Sequence, residues 1–243
     1  ILLSKLLSPD DFGSYSVIWM IIISLSSIIN AWFSSPLLSI GPSLIKNEEN
    51  KFINDLTRQI LILQFVLAFF LLLVLGVFNK MLELEDLILV STCIPFFLYD
   101  FLRRVAIIKG KLKTLVTVGG CLQVFLIAGC MYTSNGDFLI VSKIIALSYI
   151  AASFYLLMIF RPVIRLRCDS SELSSGNLRS IESRRFDFSK WLSYSSVLQF
   201  ISGNAVTIFS AGLLPIAEVG LLRLAQTFVS LFNPVLIYMD NHA

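Results

Sequence analysis

The sequence is poor in the residues that most enzyme and metal sites need. It contains one histidine, His242, and charged residues make up only 14% of the chain. Its four cysteines have neither metal-like spacing nor the pattern of a disulfide framework. No Gly-rich phosphate loop follows a strand pattern, which argues against ATP hydrolysis. We therefore expect no metal, no cofactor and no catalytic residue, and predict that the chain is not an enzyme.

Hydrophobic residues, in contrast, make up 56% of the chain. Apolar runs of about 20 residues are long enough to cross a hydrocarbon layer of ~30 Å. Because lipid offers no partners for backbone polar groups, such runs must be helical. The sequence predicts an all-α, polytopic membrane helix bundle without a nucleic-acid partner. The seven apolar runs are 12–33, 60–78, 87–108, 115–133, 138–160, 191–213 and 221–239.

The distribution of Lys and Arg predicts the orientation of these spans. Strict alternation of the runs places 15 of the 19 basic residues on one side of the membrane, which the positive-inside rule assigns to the cytoplasm. The loops on the opposite side are short and acidic. Residues 161–190 form one long basic loop rich in Ser, Asn and Gly, and we interpret it as a flexible cytoplasmic linker.

A short pattern occurs twice, 207 residues apart. Residues 6–15 read LLSPDDFGSY and residues 213–222 read LLPIAEVGLL, so that Gly13 and Gly220 each end an acidic turn between apolar runs. Six spans fit between equivalent points, which indicates a duplicated six-helix unit. We predict one six-helix lobe plus the first two helices of a repeated lobe. The predicted parts are an N-terminal lobe at 1–160 with a truncated first helix, the linker at 161–190, and the start of the C-terminal lobe at 191–243.

These features together resemble the polysaccharide and O-antigen flippases of the multidrug/oligosaccharidyl-lipid/polysaccharide exporter superfamily. The resemblance rests on the two Gly-containing turns, the six-helix period, the basic linker and the stretch RRVAIIKGK at 103–111. It implies a transporter of the bacterial or archaeal inner membrane that moves a lipid-linked oligosaccharide from the cytoplasmic to the periplasmic leaflet. The implied partners are that substrate, membrane lipids and other polysaccharide assembly proteins.

Such a substrate carries a pyrophosphate, which needs a cationic path through the membrane. Arg103 and Arg104 lie ~7 Å inward from the cytoplasmic end of their span. Asp100 precedes Arg104 by four positions and can pair with it, so the sequence favours Arg103 as the freer guanidinium. Lys143 and Arg223 are further candidates near the periplasmic side. All four cations can instead extend to the lipid headgroups and only set topology.

Amide side chains within the spans are candidates for contacts with sugar: Asn30, Gln64, Gln123, Gln199 and Asn204. The commoner use of such amides is hydrogen bonding between helices. Two other functions remain open. A cation-coupled multidrug exporter of the same fold would need a buried carboxylate, and Asp100 has an Arg in reach. A membrane glycan polymerase or ligase would need a large periplasmic loop.

Overall fold

A computed structural model of the chain describes residues 2–43, 46–78, 84–132, 137–160 and 175–242. Every element in these ranges is helical, which confirms the all-α prediction. The elements are α1 Leu2–Leu6, α2 Pro9–Ile29, a π-helical segment Asn30–Ser34, α3 Ser35–Ile40, a 3₁₀ turn Gly41–Ser43, α4 Lys46–Phe78, α5 Leu84–Ser91, α6 Cys93–Ile108, α7 Leu112–Tyr132, α8 Phe138–Phe160, α9 Ser175–Leu213 and α10 Ile216–His242.

Three of the described helical stretches are long and apolar enough to cross a membrane: Pro9–Ile40, Leu112–Tyr132 and Phe138–Phe160. They agree with the predicted runs 12–33, 115–133 and 138–160, and they support a membrane protein. The predicted runs 60–78, 87–108, 191–213 and 221–239 lie in α4, α5 with α6, α9 and α10. Their membrane crossing, and the arrangement of six helices plus two, remain predictions.

Both repeat glycines lie inside helices, which corrects their assignment to the ends of turns. Ser8 is the N-cap of α2, and its Oγ accepts a hydrogen bond from the backbone N of Asp11 at 3.2 Å. Pro9 then occupies the first helical position, where its fixed φ suits a helix. The helix therefore begins four residues before Gly13. Gly220 has the same place in α10, which begins at Ile216.

The sequence offset of 207 also relates the helix boundaries. Pro9 and Ile216, the first residues of α2 and α10, differ by 207, and so do Leu6 and Leu213, the last residues of α1 and α9. Between each pair of helices lies a connection of two residues. The repeated pattern in the sequence thus corresponds to a repeated helix–turn–helix in the structure.

Two other expectations differ from the structure. The run 87–108 is not one helix, because it is interrupted at Thr92, shortly before Pro95. A proline inside a helix removes one hydrogen bond and clashes with the carbonyl four residues earlier. Residues 175–190 of the expected flexible linker are helical and belong to α9. The stretch from 178 to 190 contains neither Pro nor Gly, which leaves the helix uninterrupted. Residues 161–174 lie outside the described residues.

The hydrophobic core lies where α6 packs against α4 and α8. Phe101 and Leu102 of α6, Ile53 of α4, and Val141 and Leu156 of α8 are at most 1% exposed. The outer faces of α7 and α8 carry large apolar side chains that are more than half exposed. That distribution is the one expected for helices that face lipid. Helix α6 therefore places Asp100 in the interior of the bundle.

Candidate functional site

A buried carboxylate, Asp100, is the centre of a polar cluster between α2 and α6. Asp100 is 8% exposed. Its Oδ1 lies 2.8 Å from Nη2 of Arg103, and its Oδ2 lies 3.6 Å from Nη2 of Arg104. Asn30 donates a short hydrogen bond of 2.5 Å from Nδ2 to Oδ2. Arg103 and Asn30 therefore contact the carboxylate within hydrogen-bonding distance, and Arg104 adds a second positive charge beside it, as a buried charge requires.

The π-helical segment positions Asn30 for this contact. Asn30 is its first residue, and the side-chain Oδ1 accepts a hydrogen bond from Ser34 Oγ at 2.9 Å. Its Nδ2 also donates to Ser26 Oγ at 3.2 Å. These two serines, four residues before and after, fix the amide so that its donors face Asp100. Such π-helical insertions within α-helices frequently occur at functional sites.

The structure reverses the expected roles of the two arginines. Arg103, expected to be the freer cation, forms the closer ion pair with Asp100, and its side chain is 45% exposed. Arg104 has the longer contact and its side chain is 23% exposed, and within the described part of the chain its buried Nε has no hydrogen-bond partner. Residues four apart on a helix can form an ion pair, as Arg104 and Asp100 do, but the closer pair here is between Asp100 and Arg103, which are three apart. Arg104 is therefore a partly buried cation with an unused donor.

Arg104 lines a polar cavity of about 380 Å³ between α2, α6 and α9. Asn30 also lines the cavity, as do hydroxyl-bearing residues on both sides of it. These serines were not predicted as site residues, although Ser26, Asn30 and Ser34 follow one another at intervals of four residues, which places them on one face of a helix. The remaining lining residues include Ser27, Ser35, Leu192 and Ser196. The cavity thus offers one guanidinium, one amide and several hydroxyls in an otherwise apolar bundle.

A hydrogen bond joins α9 to the π-helical segment near this cavity. In a regular α-helix the carbonyl of Trp32 would accept from the N–H of residue 36, but Pro36 has none. Ser189 Oγ of α9 donates to that carbonyl instead, at 3.1 Å. The rings of Trp32 and Phe186 also meet edge to face at 5.5 Å. Because Pro36 has no N–H, the carbonyl of Trp32 accepts a hydrogen bond from Ser189, which lies 157 residues later in the chain.

A second polar group forms where α9 meets α10. Nη1 of Arg223 donates to Asn204 Oδ1 and to Gln226 Oε1, both at 3.1 Å. Thr207 Oγ1 donates to the same Gln226 oxygen at 2.9 Å. The sequence analysis proposed Arg223 and Asn204 separately, and the structure brings them together. Because Arg223 lies 19 residues after Asn204, only the turn between the helices could place them side by side.

The remaining predicted site residues do not join either group. Gln64 is buried at 6% exposure, and its Nε2 has no hydrogen-bond partner among the residues that the structure describes. Gln123, Lys143 and Gln199 are exposed on α7, α8 and α9. None of these four lines the cavity beside Arg104. Five of the predicted residues therefore lie in the two polar groups: Asn30, Arg103, Arg104, Asn204 and Arg223.

Comparisons of the chain with protein-family models, with curated proteins and with solved structures gave no match.

Proposed function

We propose that this protein is a membrane transporter that flips a lipid-linked oligosaccharide from the cytoplasmic to the periplasmic leaflet. The observation that carries the proposal is the polar cavity beside Arg104, between α2, α6 and α9. Charged side chains are rare within membrane helices and there mark substrate or ion pathways. A guanidinium surrounded by hydroxyl and amide groups suits a phosphate attached to sugar. The proposed location is the inner membrane, with residues 161–190 on the cytoplasmic side.

The geometry of the ion pairs suits a cation that must exchange partners. Asp100 keeps Arg104 neutralised while the cavity holds no substrate, because an unpaired buried charge is costly. The contact with Arg104 is 3.6 Å long, whereas Arg103 holds the other oxygen of the carboxylate at 2.8 Å. A pyrophosphate can therefore take over Arg104, with two parallel hydrogen bonds, while Asp100 keeps Arg103 and Asn30.

Helix α2 contacts the second repeat at two separated levels. Gly13, near its start, packs against α10, and Trp32, just beyond its end, contacts Ser189 of α9. At 1.5 Å per residue these levels are roughly 30 Å apart, which is about the thickness of the hydrocarbon layer. Opening one contact at a time would expose the cavity to one side of the membrane at a time. This supports transport by rocking of two helical lobes.

The two rival functions have weaker support. A cation exporter needs a carboxylate free to attract its substrate, and Asp100 is already held by Asn30, Arg103 and Arg104. A polymerase or ligase needs a large loop to carry its active site. The connections that are described on the predicted periplasmic side, Leu7–Ser8 and Leu214–Pro215, are two residues long.

The test is a flipping assay with protein produced from its complete gene and reconstituted in lipid vesicles. The substrate is an undecaprenyl pyrophosphate-linked oligosaccharide with a fluorescent sugar, whose position is detected with a membrane-impermeant quencher. The expected result is a protein-dependent exchange of the labelled sugar between leaflets. A parallel assay follows the efflux of ethidium from the same vesicles. Efflux of ethidium without movement of the labelled sugar would establish the cation exporter instead.

A further inference from the structure

A second cavity lies along the same face of α2 as the Arg104 cavity, nearer the start of the helix and the crossing of α2 and α10, and Ile23 lines both cavities. It has a volume of about 440 Å³ and is bordered by α1, α2, α7, α8 and α10. Aromatic side chains form much of its wall, and Arg223 of the second polar group lines it. The aromatic and polar residues that line it include Tyr15, Ser16, Trp19, Tyr149 and Arg223.

Arg223 differs from Arg104 in having no carboxylate partner within the described residues. Asn204 and Gln226 accept its hydrogen bonds, and both bonds come from Nη1. Among the described residues, Nη2 and Nε have no hydrogen-bond partner. A guanidinium inside a membrane bundle is costly without a counter-charge. An anionic ligand in this cavity would supply the missing charge and use the two free donors.

The aromatic wall indicates what carries that charge. The rings of Tyr15 and Trp19 are nearly parallel, 5.9 Å apart at an interplanar angle of 13°, and Tyr149 lies 6.1 Å from Trp19. Flat aromatic faces beside hydroxyls offer apolar contact for the C–H face of a sugar ring and hydrogen bonds for its hydroxyls. A lipid phosphate or a free anion would need no such wall.

We infer that this cavity binds an acidic sugar: a pyranose ring packed against Trp19 and the two tyrosines, with its carboxylate or phosphate on Arg223. The inference rests on the proposed function for the source of the sugar, and it adds that the transported oligosaccharide contains a negatively charged residue. The cavity beside Arg104 would then receive the pyrophosphate, and the cavity beside Arg223 would select the glycan.

Trp19 provides a direct readout of binding. The protein has three tryptophans, so that replacing Trp32 and Trp191 by Phe leaves Trp19 as the only indole. Its fluorescence is titrated with methyl glucuronide, glucose 1-phosphate, methyl glucoside and inorganic phosphate. We expect both anionic sugars to bind about tenfold or more tightly than methyl glucoside and than phosphate. The stronger of the two identifies the oxyanion as a carboxylate or a phosphate.

Arg223→Gln should abolish the preference for the anionic sugars, and Arg223→Lys should keep part of it. The matched control is Lys143→Gln, which removes one exposed cation outside the cavity and should leave the preference unchanged. Equal binding of methyl glucoside and methyl glucuronide by the protein with Arg223 intact would overturn the inference, whether or not the variants fold. So would equal binding of phosphate and glucose 1-phosphate.

The result of the Trp19 titration can be distinguished from the result of the flipping assay. A protein that prefers anionic sugars but moves no lipid-linked oligosaccharide would retain this site and overturn the proposed function. A working flippase whose Trp19 responds equally to neutral and acidic sugars would overturn this inference and retain the proposed function.

Discussion

Gly13 of α2 and Gly220 of α10 touch where the two helices cross, each at the equivalent position of a repeated segment. A Cβ on Gly220 would lie 3.0 Å from Cα and 3.1 Å from N of Gly13. A Cβ on Gly13 would overlap the backbone carbonyl of Ile216. Small residues let helix backbones approach closely in a membrane. The two copies of the segment therefore pack through the residue that they share.

Replacing Gly13 by Ala should destabilise the protein, because the new methyl group meets backbone atoms that cannot rotate away. We expect a loss of about 1–3 kcal/mol in the free energy of unfolding, as in other overpacked sites. Thermal unfolding in detergent, followed by intrinsic fluorescence, measures the change. Gly220→Ala should have a smaller effect in the same direction, because its closest contacts are 3.0 Å and longer.

Gly120→Ala is the matched control for Gly13→Ala. Gly120 lies in α7, and a Cβ there meets no atom within 4 Å. Because Ala is the better helix former, this change should leave stability unaltered or raise it by up to about 1 kcal/mol. Equal losses from Gly13→Ala and Gly120→Ala would show that the crossing of α2 and α10 is not tightly packed.

The stability that the hydrogen bond from Ser189 to Trp32 contributes should depend on Pro36. Ser189→Ala should cost about 1–2 kcal/mol, because it removes the hydrogen bond that Ser189 donates to the carbonyl of Trp32. In a Pro36→Ala background, the N–H of residue 36 can supply that donor within the helix. Ser189→Ala should therefore cost less there, and chemical denaturation of the four proteins of this cycle measures the difference. An equal cost in both backgrounds would contradict this origin of the contact.

The pair Asn30 and Asp100 should be energetically coupled. Asn30→Ala removes a donor to a buried carboxylate, and Asp100→Ala removes the acceptor, so the double variant should lose less stability than the two single losses added together. A coupling energy of about 0.5–3 kcal/mol is expected for groups in contact. The control cycle combines Asn30→Ala with Gln123→Ala, an exposed amide on α7. Additivity in both cycles would exclude the contact between α2 and α6.

Substitution of the exposed candidates Gln123, Lys143 and Gln199 should have little effect on the rate of transport. Gln123→Ala, Lys143→Gln and Gln199→Ala each change a side chain that faces outward and lies outside the Arg104 cavity. We expect flipping rates within about twofold of the unmodified protein, because exposed substitutions generally have small effects. A large loss in any of them would place the pathway on a different face of the bundle.

The sequence predicted well what depends on local hydrophobicity. The run 138–160 agrees with α8 at both ends, and the run 115–133 agrees with α7 to within a few residues. It also placed a repeat at Gly13 and Gly220. The predicted start of α9 was wrong. Ser, Asn and Gly at 170–177 indicated a loop, and we extended that loop to residue 190, whereas the helix begins at Ser175. The single run predicted at 87–108 was also wrong, because the helix is interrupted at Thr92.

The polar sites could not be derived from sequence because they depend on contacts between distant residues. Asn30 and Asp100 are 70 residues apart, and nothing in a span of apolar residues indicates which helix faces will meet. The expected roles of Arg103 and Arg104 were reversed for the same reason. Both residues are spaced to pair with Asp100, and only the tertiary packing decides which guanidinium faces the cavity. The free donors of Arg223 likewise become visible only when its neighbours are known.

The most direct test of the account compares Arg104→Gln with Arg103→Gln in the vesicle flipping assay. The initial rate of transfer of the labelled lipid-linked oligosaccharide is measured for both variants, for Lys143→Gln and for the unmodified protein. The account predicts a loss of about tenfold or more for Arg104→Gln, a smaller loss for Arg103→Gln and no loss for Lys143→Gln. An unaltered rate in Arg104→Gln, or a greater loss in Arg103→Gln, would contradict it.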